Sequence, residues 1–78
     1  MPHILVKLYP GRSEQMKQDF SRKLVECTAE ALKAPIGAIS VSIEEVPPDR
    51  WEETVVKPEM LDKPETLYIK PANLMETQ

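Results

Sequence analysis

The chain has 78 residues, a formal net charge of −3 and a single cysteine. A chain of this length forms one core, and we predict a single domain over residues 1–78. Its Lys and Arg residues are not clustered, which argues against a nucleic acid or a membrane surface as partner. Cys27 has no second cysteine for an internal disulfide, and no long apolar segment follows a basic start. We therefore expect a cytoplasmic protein.

The first element is predicted to be a β-strand. Ile4, Val6 and Leu8 alternate with their neighbours at the period of a strand that has one face on a core. Pro10 and Gly11 follow and are typical of a chain reversal. The strand therefore ends before residue 10.

An amphipathic helix is predicted next. Ser13 is a suitable N-cap and Glu14 places a negative charge in the first turn, where the helix dipole favours it. The apolar stripe repeats in steps of three and four and is expected to be buried. It comprises Met16, Phe20, Leu24, Cys27 and Ala31, and is widened on one side by Val25, Thr28 and Leu32. We expect the helix to end at Ala34 and Pro35, because the residue before a proline is disfavoured in helices.

A second strand is predicted over residues 39–46, where Ile39, Val41 and Ile43 alternate with polar residues. Strand, helix and strand in this order form a βαβ unit with parallel strands and a right-handed crossover. The predicted fold class is α/β (α+β), with one βαβ unit followed by short C-terminal elements. Prolines divide those elements, and we expect one or two helical turns in residues 50–57 and a short strand in residues 67–69.

A two-stranded sheet with one helix leaves both sheet edges open. Two copies that pair antiparallel about a twofold axis would form a four-stranded sheet with both helices on one face. We therefore expect a homo-oligomer.

Few residues of the chain match a known catalytic motif. There is no glycine-rich phosphate loop, no GxSxG, no HExxH and no Cys–His spacing, so we expect no cofactor and no metal. Pro2 remains: removal of Met1 would convert its amide nitrogen into a secondary amine. An α-amine has a reference pKa of about 7.7–8.0, and burial lowers it, so the amine could act as a general base. The alternative is that Met-Pro is an ordinary chain start.

The order of these features resembles the 4-oxalocrotonate tautomerase family over about residues 2–51. The resemblance comprises Pro2, an apolar strand, the segment Pro10-Gly11-Arg12-Ser13, the helix, Ala34-Pro35, the second strand and Trp51. Members of that family are βαβ subunits that pair into dimers, many of which stack as trimers of dimers. They use an N-terminal proline to move a proton between the oxygen and the carbon of an enol.

The resemblance implies a role for four residues. Pro2 matches the catalytic base, and Arg12 matches the arginine that binds a substrate carboxylate; otherwise Arg12 would be a solvated loop residue. Ser40 stands where the family has a second arginine, so this substrate-binding position offers only a neutral hydrogen bond. Trp51 matches a phenylalanine that walls the pocket, and an ordinary structural tryptophan is the alternative.

Ser40, Trp51 and the chain length resemble the branch of dimeric phenylpyruvate-tautomerase-like proteins, in which a longer C-terminal segment blocks hexamer stacking. This implies a tautomerase for the enol of a small 2-keto acid such as phenylpyruvate. A homodimer is favoured over a hexamer. The competing hypothesis is a non-catalytic βαβ oligomerisation or binding module on the same scaffold.

Overall fold

A computed structural model describes residues 1–72 of the protein. Within them the chain forms two compact units, Met1–Pro47 and a second unit that begins at Pro48. The first unit contains both strands and the long helix. The expectation of a single domain over residues 1–78 stays a prediction, and its last six residues lie outside the described part.

The first unit is the predicted βαβ unit. Strand β1 spans His3–Leu8, helix α1 spans Glu14–Leu32 and strand β2 spans Ser40–Glu45. The two strands pair in parallel, with His3 opposite Ser40 and Leu8 opposite Glu45. The fold class is confirmed, and β2 is one residue shorter at each end than the sequence pattern predicts.

Helix α1 begins where the sequence predicts. The Oγ of Ser13 accepts a hydrogen bond from the backbone N–H of Met16 at 3.1 Å, which satisfies one of the free amides of the first turn. The helix ends at Leu32, earlier than Ala34-Pro35, because Lys33 adopts a left-handed conformation with φ 55° and donates its N–H to Ala29. A short 3₁₀ turn, Ile36–Ala38, leads into β2.

Alternation along the strands divides the sheet into two faces. Ile4 and Val6 of β1 share one face with Val41 and Ile43 of β2, and α1 covers this face. The opposite face carries the side chains of His3, Leu5, Lys7, Ser40, Ser42 and Glu44. No helix of the first unit covers that second face.

The apolar stripe predicted on α1 is not the core of the single chain. Only Leu24 of that stripe is half-buried; Met16 is 56% exposed, Phe20 is 41% exposed, and Cys27 and Ala31 are exposed as well. Val25 and Thr28, which widen the predicted stripe on one side, are partly buried, and so are Lys17 and Ser21, which do not belong to it. The expectation of a stripe buried within one chain is therefore wrong, because its residues lie on the flank of the helix beside the sheet.

The second unit is helical from its start. A 3₁₀ turn over Pro48–Arg50 precedes a π-helix, Glu52–Leu61, which confirms and extends the helical turns predicted in residues 50–57. Pro58 lies inside this helix; a proline ring clashes with the carbonyl four residues earlier in an α-helix, and the wider π turn relieves that clash.

The short strand predicted in residues 67–69 is wrong. A 3₁₀ turn over Pro64–Thr66 is followed by irregular chain, and Tyr68 and Ile69 are almost fully exposed. This three-residue segment joins no sheet in the described chain, and an unpaired segment of this length gains no ladder hydrogen bonds.

Candidate active site

The structure places Pro2 directly before β1, at the N-terminal end of the sheet. The carbonyl oxygen of Pro2 accepts a hydrogen bond from the backbone N–H of Ser40 at 3.1 Å, and the residue is half-buried. Met1 is fully exposed. The backbone at Pro2 is therefore held against the start of β2, while the residue that blocks its nitrogen is accessible to solvent.

Ser40 lies beside Pro2, and its side chain has a partner. The Oγ of Ser40 is 2.7 Å from the Nδ1 of His3, its register partner on the sheet face away from α1. The sequence alone does not assign His3 to the site. Its strand patterns predict a second strand that begins at residue 39, so they do not fix the register that puts these two side chains opposite each other.

Arg12 lies at the other end of β1. It follows Gly11, whose φ of 128° is accessible to glycine and strained for other residues, and it precedes the N-cap Ser13. The six residues of β1 span about 20 Å at a rise of about 3.3 Å per residue. Within one chain, the structure thus brings Pro2 and Ser40 together and does not bring Arg12 to them.

Arg12 lines an open, apolar groove, which we call the β1 groove. Its other lining residues come from the C-terminal half of β1 and the first turns of α1: Val6, Leu8, Met16, Lys17 and Phe20. The volume of the groove is about 390 Å³. It combines an exposed guanidinium with exposed apolar side chains, which suits either an aryl carboxylate or an apolar protein surface.

Lys17 is the second cation of the β1 groove, and it is already paired. Its Nζ donates to Glu45 at 3.1 Å and lies 3.7 Å from Glu14. The hydrogen bond that Lys17 donates to the Glu45 carboxylate is the main cause that raises the pKa of Lys17 above its usual 10.5. Lys17 therefore stays charged at neutral pH and its charge is balanced, whereas no carboxylate lies in an ion pair with Arg12 among residues 1–72.

Trp51 lies in the second unit, directly before the π-helix Glu52–Leu61, and is half-buried. Its predicted role as a pocket wall stays a prediction. Among residues 1–72 no group of His, Cys, Asp and Glu side chains is arranged to hold a metal ion. None of the helices in this part of the chain is long and apolar enough to span a membrane.

The chemistry available at the N-terminal end of the sheet is acid–base chemistry. Removal of Met1 would give Pro2 a secondary amine on a backbone that hydrogen-bonds to β2, next to the His3–Ser40 side-chain pair along the chain. A βαβ unit with a proline held at the start of its sheet is compatible with the class of small acid–base enzymes that transfer protons.

Comparisons with known proteins agree with this class. The family model described as "Tautomerase enzyme" matches residues 2–63. A probable tautomerase of Xylella fastidiosa is 35% identical over 71 residues, which cover 91% of this chain and 87% of the relative. Tautomerase PptA of Cronobacter sakazakii is 32% identical over 72 residues, covering 91% of this chain and 95% of that protein.

A solved structure is similar as well. TomN, a 4-oxalocrotonate tautomerase homologue in the tomaymycin biosynthetic pathway, superposes with a TM-score of 0.62 at 32% identity, over 83% of this chain and 97% of TomN. The chain belongs to the 4-oxalocrotonate tautomerase family and is a tautomerase enzyme. The competing hypothesis of a non-catalytic module is not supported by these matches.

Proposed function

We propose that the protein catalyses enol–keto proton transfer on a small 2-keto acid of the phenylpyruvate type, with the secondary amine of Pro2 as base. The observation that carries this proposal is the hydrogen bond between the Pro2 carbonyl and the N–H of Ser40, which holds Pro2 against the start of β2. A base held on a strand end keeps its position relative to a bound substrate, and such positioning is what general-base catalysis requires.

The proposed reaction is balanced in protons. The neutral amine of Pro2 removes the proton from the enol oxygen, and the resulting ammonium returns a proton to the adjacent carbon. Electron density moves from the oxygen into the new C=O bond while the C=C bond becomes the new C–H bond. The enzyme therefore ends the cycle in its starting state, which agrees with a site that needs no cofactor.

Ser40 favours a substrate with one carboxylate. A hydroxyl supplies a neutral hydrogen bond to the substrate oxygen, whereas a guanidinium would supply a charge for a second carboxylate. The one carboxylate is assigned to Arg12, whose guanidinium is exposed and close to the N-terminus of α1. A monoacid with an apolar side chain is the class of substrate that fits these groups.

A homodimer would bring Arg12 to Pro2. No further strand of the described chain pairs with the outer edge of β1, and exposed Met16 and Phe20 lie along that edge in the β1 groove. Antiparallel pairing of β1 with β1 of a second copy would cover this groove and place the start of one strand at the end of the other. Arg12 of one subunit would then lie near Pro2 of its partner.

A dimer, not a stacked hexamer, is the proposed assembly, and the cytoplasm is its proposed location. The family resemblance implies that the longer C-terminal segment blocks hexamer stacking. The part of that segment beyond residue 72 lies outside the described residues. Trp51 is proposed to wall the completed pocket. Its indole is large enough to exclude water from the amine and so to favour the neutral form.

Mass spectrometry and a ketonisation assay test the role of Pro2. Intact-mass spectrometry should show a chain that lacks Met1, and this processed protein should ketonise phenylenolpyruvate. Pro2→Ala should lower kcat by about 100-fold or more, the contribution expected of a positioned base. Far-UV circular dichroism and light scattering should show an unchanged fold and dimer.

A matched control changes no side chain. Protein that retains Met1, prepared in cells that lack methionine aminopeptidase activity, has the same residues but an amide at Pro2. We expect it to be inactive. If the Met1-retaining protein or the Pro2→Ala variant turns over as fast as the processed parent, Pro2 is not the base.

A further inference from the structure

The N-terminal end of the sheet contains a side-chain pair of which the proposed function uses Ser40 and leaves His3 without a role. The Nδ1 of His3 and the Oγ of Ser40 are 2.7 Å apart, on the sheet face that α1 does not cover. The same register that joins the Pro2 carbonyl to the N–H of Ser40 fixes this pair. The pair is therefore attached to the backbone that holds the proposed base.

The partner of a serine hydroxyl decides what the hydroxyl can do for a substrate. A hydroxyl has one donor and two acceptor positions, and its hydrogen rotates freely when no neighbour restrains it. If Nδ1 of His3 carries a proton, it donates to Oγ, and the O–H of Ser40 is left to donate to another group. If Ser40 instead donated to His3, it would have no proton left for a substrate.

We propose that His3 is a positioning residue for Ser40: its Nδ1–H holds the hydroxyl so that the O–H donates to the substrate oxygen. This inference rests on the proposed function. The substrate oxygen gains negative charge as the enol loses its proton, so a donor aimed at it stabilises the transition state more than the ground state. His3 keeps its own proton throughout, and no proton passes through the pair.

A purely structural role fits the pair poorly. Both residues are exposed, and water competes for exposed hydrogen bonds, so this contact adds little to the stability of the fold. The next pair on the same face is the natural comparison. Ser42 lies opposite Leu5, whose side chain offers no hydrogen bond, and Ser42 is exposed in the same strand as Ser40.

The test is a mutant cycle on phenylenolpyruvate ketonisation. Ser40→Ala and His3→Leu should each lower kcat by about 3- to 10-fold, the value of one neutral hydrogen bond, with little change in KM. The double variant should be no slower than either single variant, because both changes remove the same interaction. His3→Asn should keep kcat within about twofold of the parent, since its amide N–H can donate from nearly the same place.

Ser42→Ala is the matched control and should leave kcat unchanged. Thermal melting of each variant should stay close to that of the parent, which separates orientation of the hydroxyl from loss of fold. The proposal is overturned if His3→Leu keeps the parent kcat, if the two losses multiply in the double variant, or if His3→Asn is as slow as His3→Leu.

Failure of this inference is distinguishable from failure of the proposed function. Pro2→Ala, assayed in parallel, reports on the base alone. A slow Pro2→Ala variant together with a fully active His3→Leu variant would leave the base assigned and remove His3. An active Pro2→Ala variant would show that Pro2 is not the base. The inference about His3 would then fail as well, because it requires the amine to take the enol proton.

Discussion

Subunit complementation should decide whether each active site contains residues of two chains. Pro2 precedes β1 and Arg12 follows it, so in one subunit they stand at opposite ends of a strand that spans about 20 Å. If a partner supplies Arg12, then Pro2→Ala and Arg12→Ala damage different halves of the same site. A mixed dimer of the two variants would contain one doubly damaged site and one intact site.

The expected magnitudes follow from this geometry. Loss of a charged hydrogen bond from Arg12 costs about 1.5–3 kcal/mol, so the Arg12→Ala homodimer should lose about 10- to 100-fold in kcat/KM, mainly through KM. Pro2→Ala should be slower still. Random mixing of equal amounts gives about half mixed dimers with one working site in two, and so about one quarter of the parental activity.

The assay is ketonisation at a substrate concentration well below KM, after the two variants have been unfolded together and refolded. Each variant refolded alone is the control for recovery, and the parent refolded in the same way sets the full scale. Recovery of activity well above that of both homodimers would support a shared site. Activity no higher than the mean of the two homodimers would show that the intersubunit placement of Arg12 is wrong.

Two further predictions concern assembly and pH. Phe20→Glu should raise the dimer dissociation constant by about 100-fold or more, measured by analytical ultracentrifugation, because it removes about 1.5–3 kcal/mol of aromatic burial and adds a charge to the β1 groove. Ile36→Glu is the control, since Ile36 is an exposed apolar residue outside the groove. An unchanged dissociation constant in Phe20→Glu would place the interface elsewhere. Lys17→Met should lower the melting temperature at neutral pH, because it removes the ion pair with Glu45. The Glu45 carboxylate raises the pKa of Lys17 in the folded protein above 10.5, so the ion pair stabilises the fold below pH 10.5 and this stabilisation is lost as the pH rises through the raised pKa. The gap between the two proteins should close above pH 10.5, and a gap independent of pH would argue against the ion pair.

Local pattern in the sequence was sufficient for most of the first unit. The alternation in β1 and β2, the Ser13 cap and the order strand–helix–strand predict the parallel pair, because they depend on the periodicity and capping of short segments. Lys33 shows the limit of that approach. Its left-handed conformation ends α1 before Pro35, and a lysine carries no strong signal for that conformation.

The candidate site divides in the same way. The possible chemistry of Pro2 follows from its place in the chain, and the resemblance to the tautomerase family supplied Arg12, Ser40 and Trp51. The His3–Ser40 contact was not predicted, since it depends on the register between two strands that are far apart in sequence. A shift of one residue would have put the two side chains on opposite faces of the sheet.

The sequence alone determined the two strands, the long helix and their order, and it singled out the nitrogen of Pro2 as a candidate base, because helix period, strand period and terminal chemistry are properties of short segments. Tertiary structure decided the rest. It placed Arg12 a strand length away from Pro2 and left Met16 and Phe20 exposed beside the edge of β1. Burial and contact depend on which surfaces meet, and in the proposed dimer some of those surfaces lie on another copy of the chain.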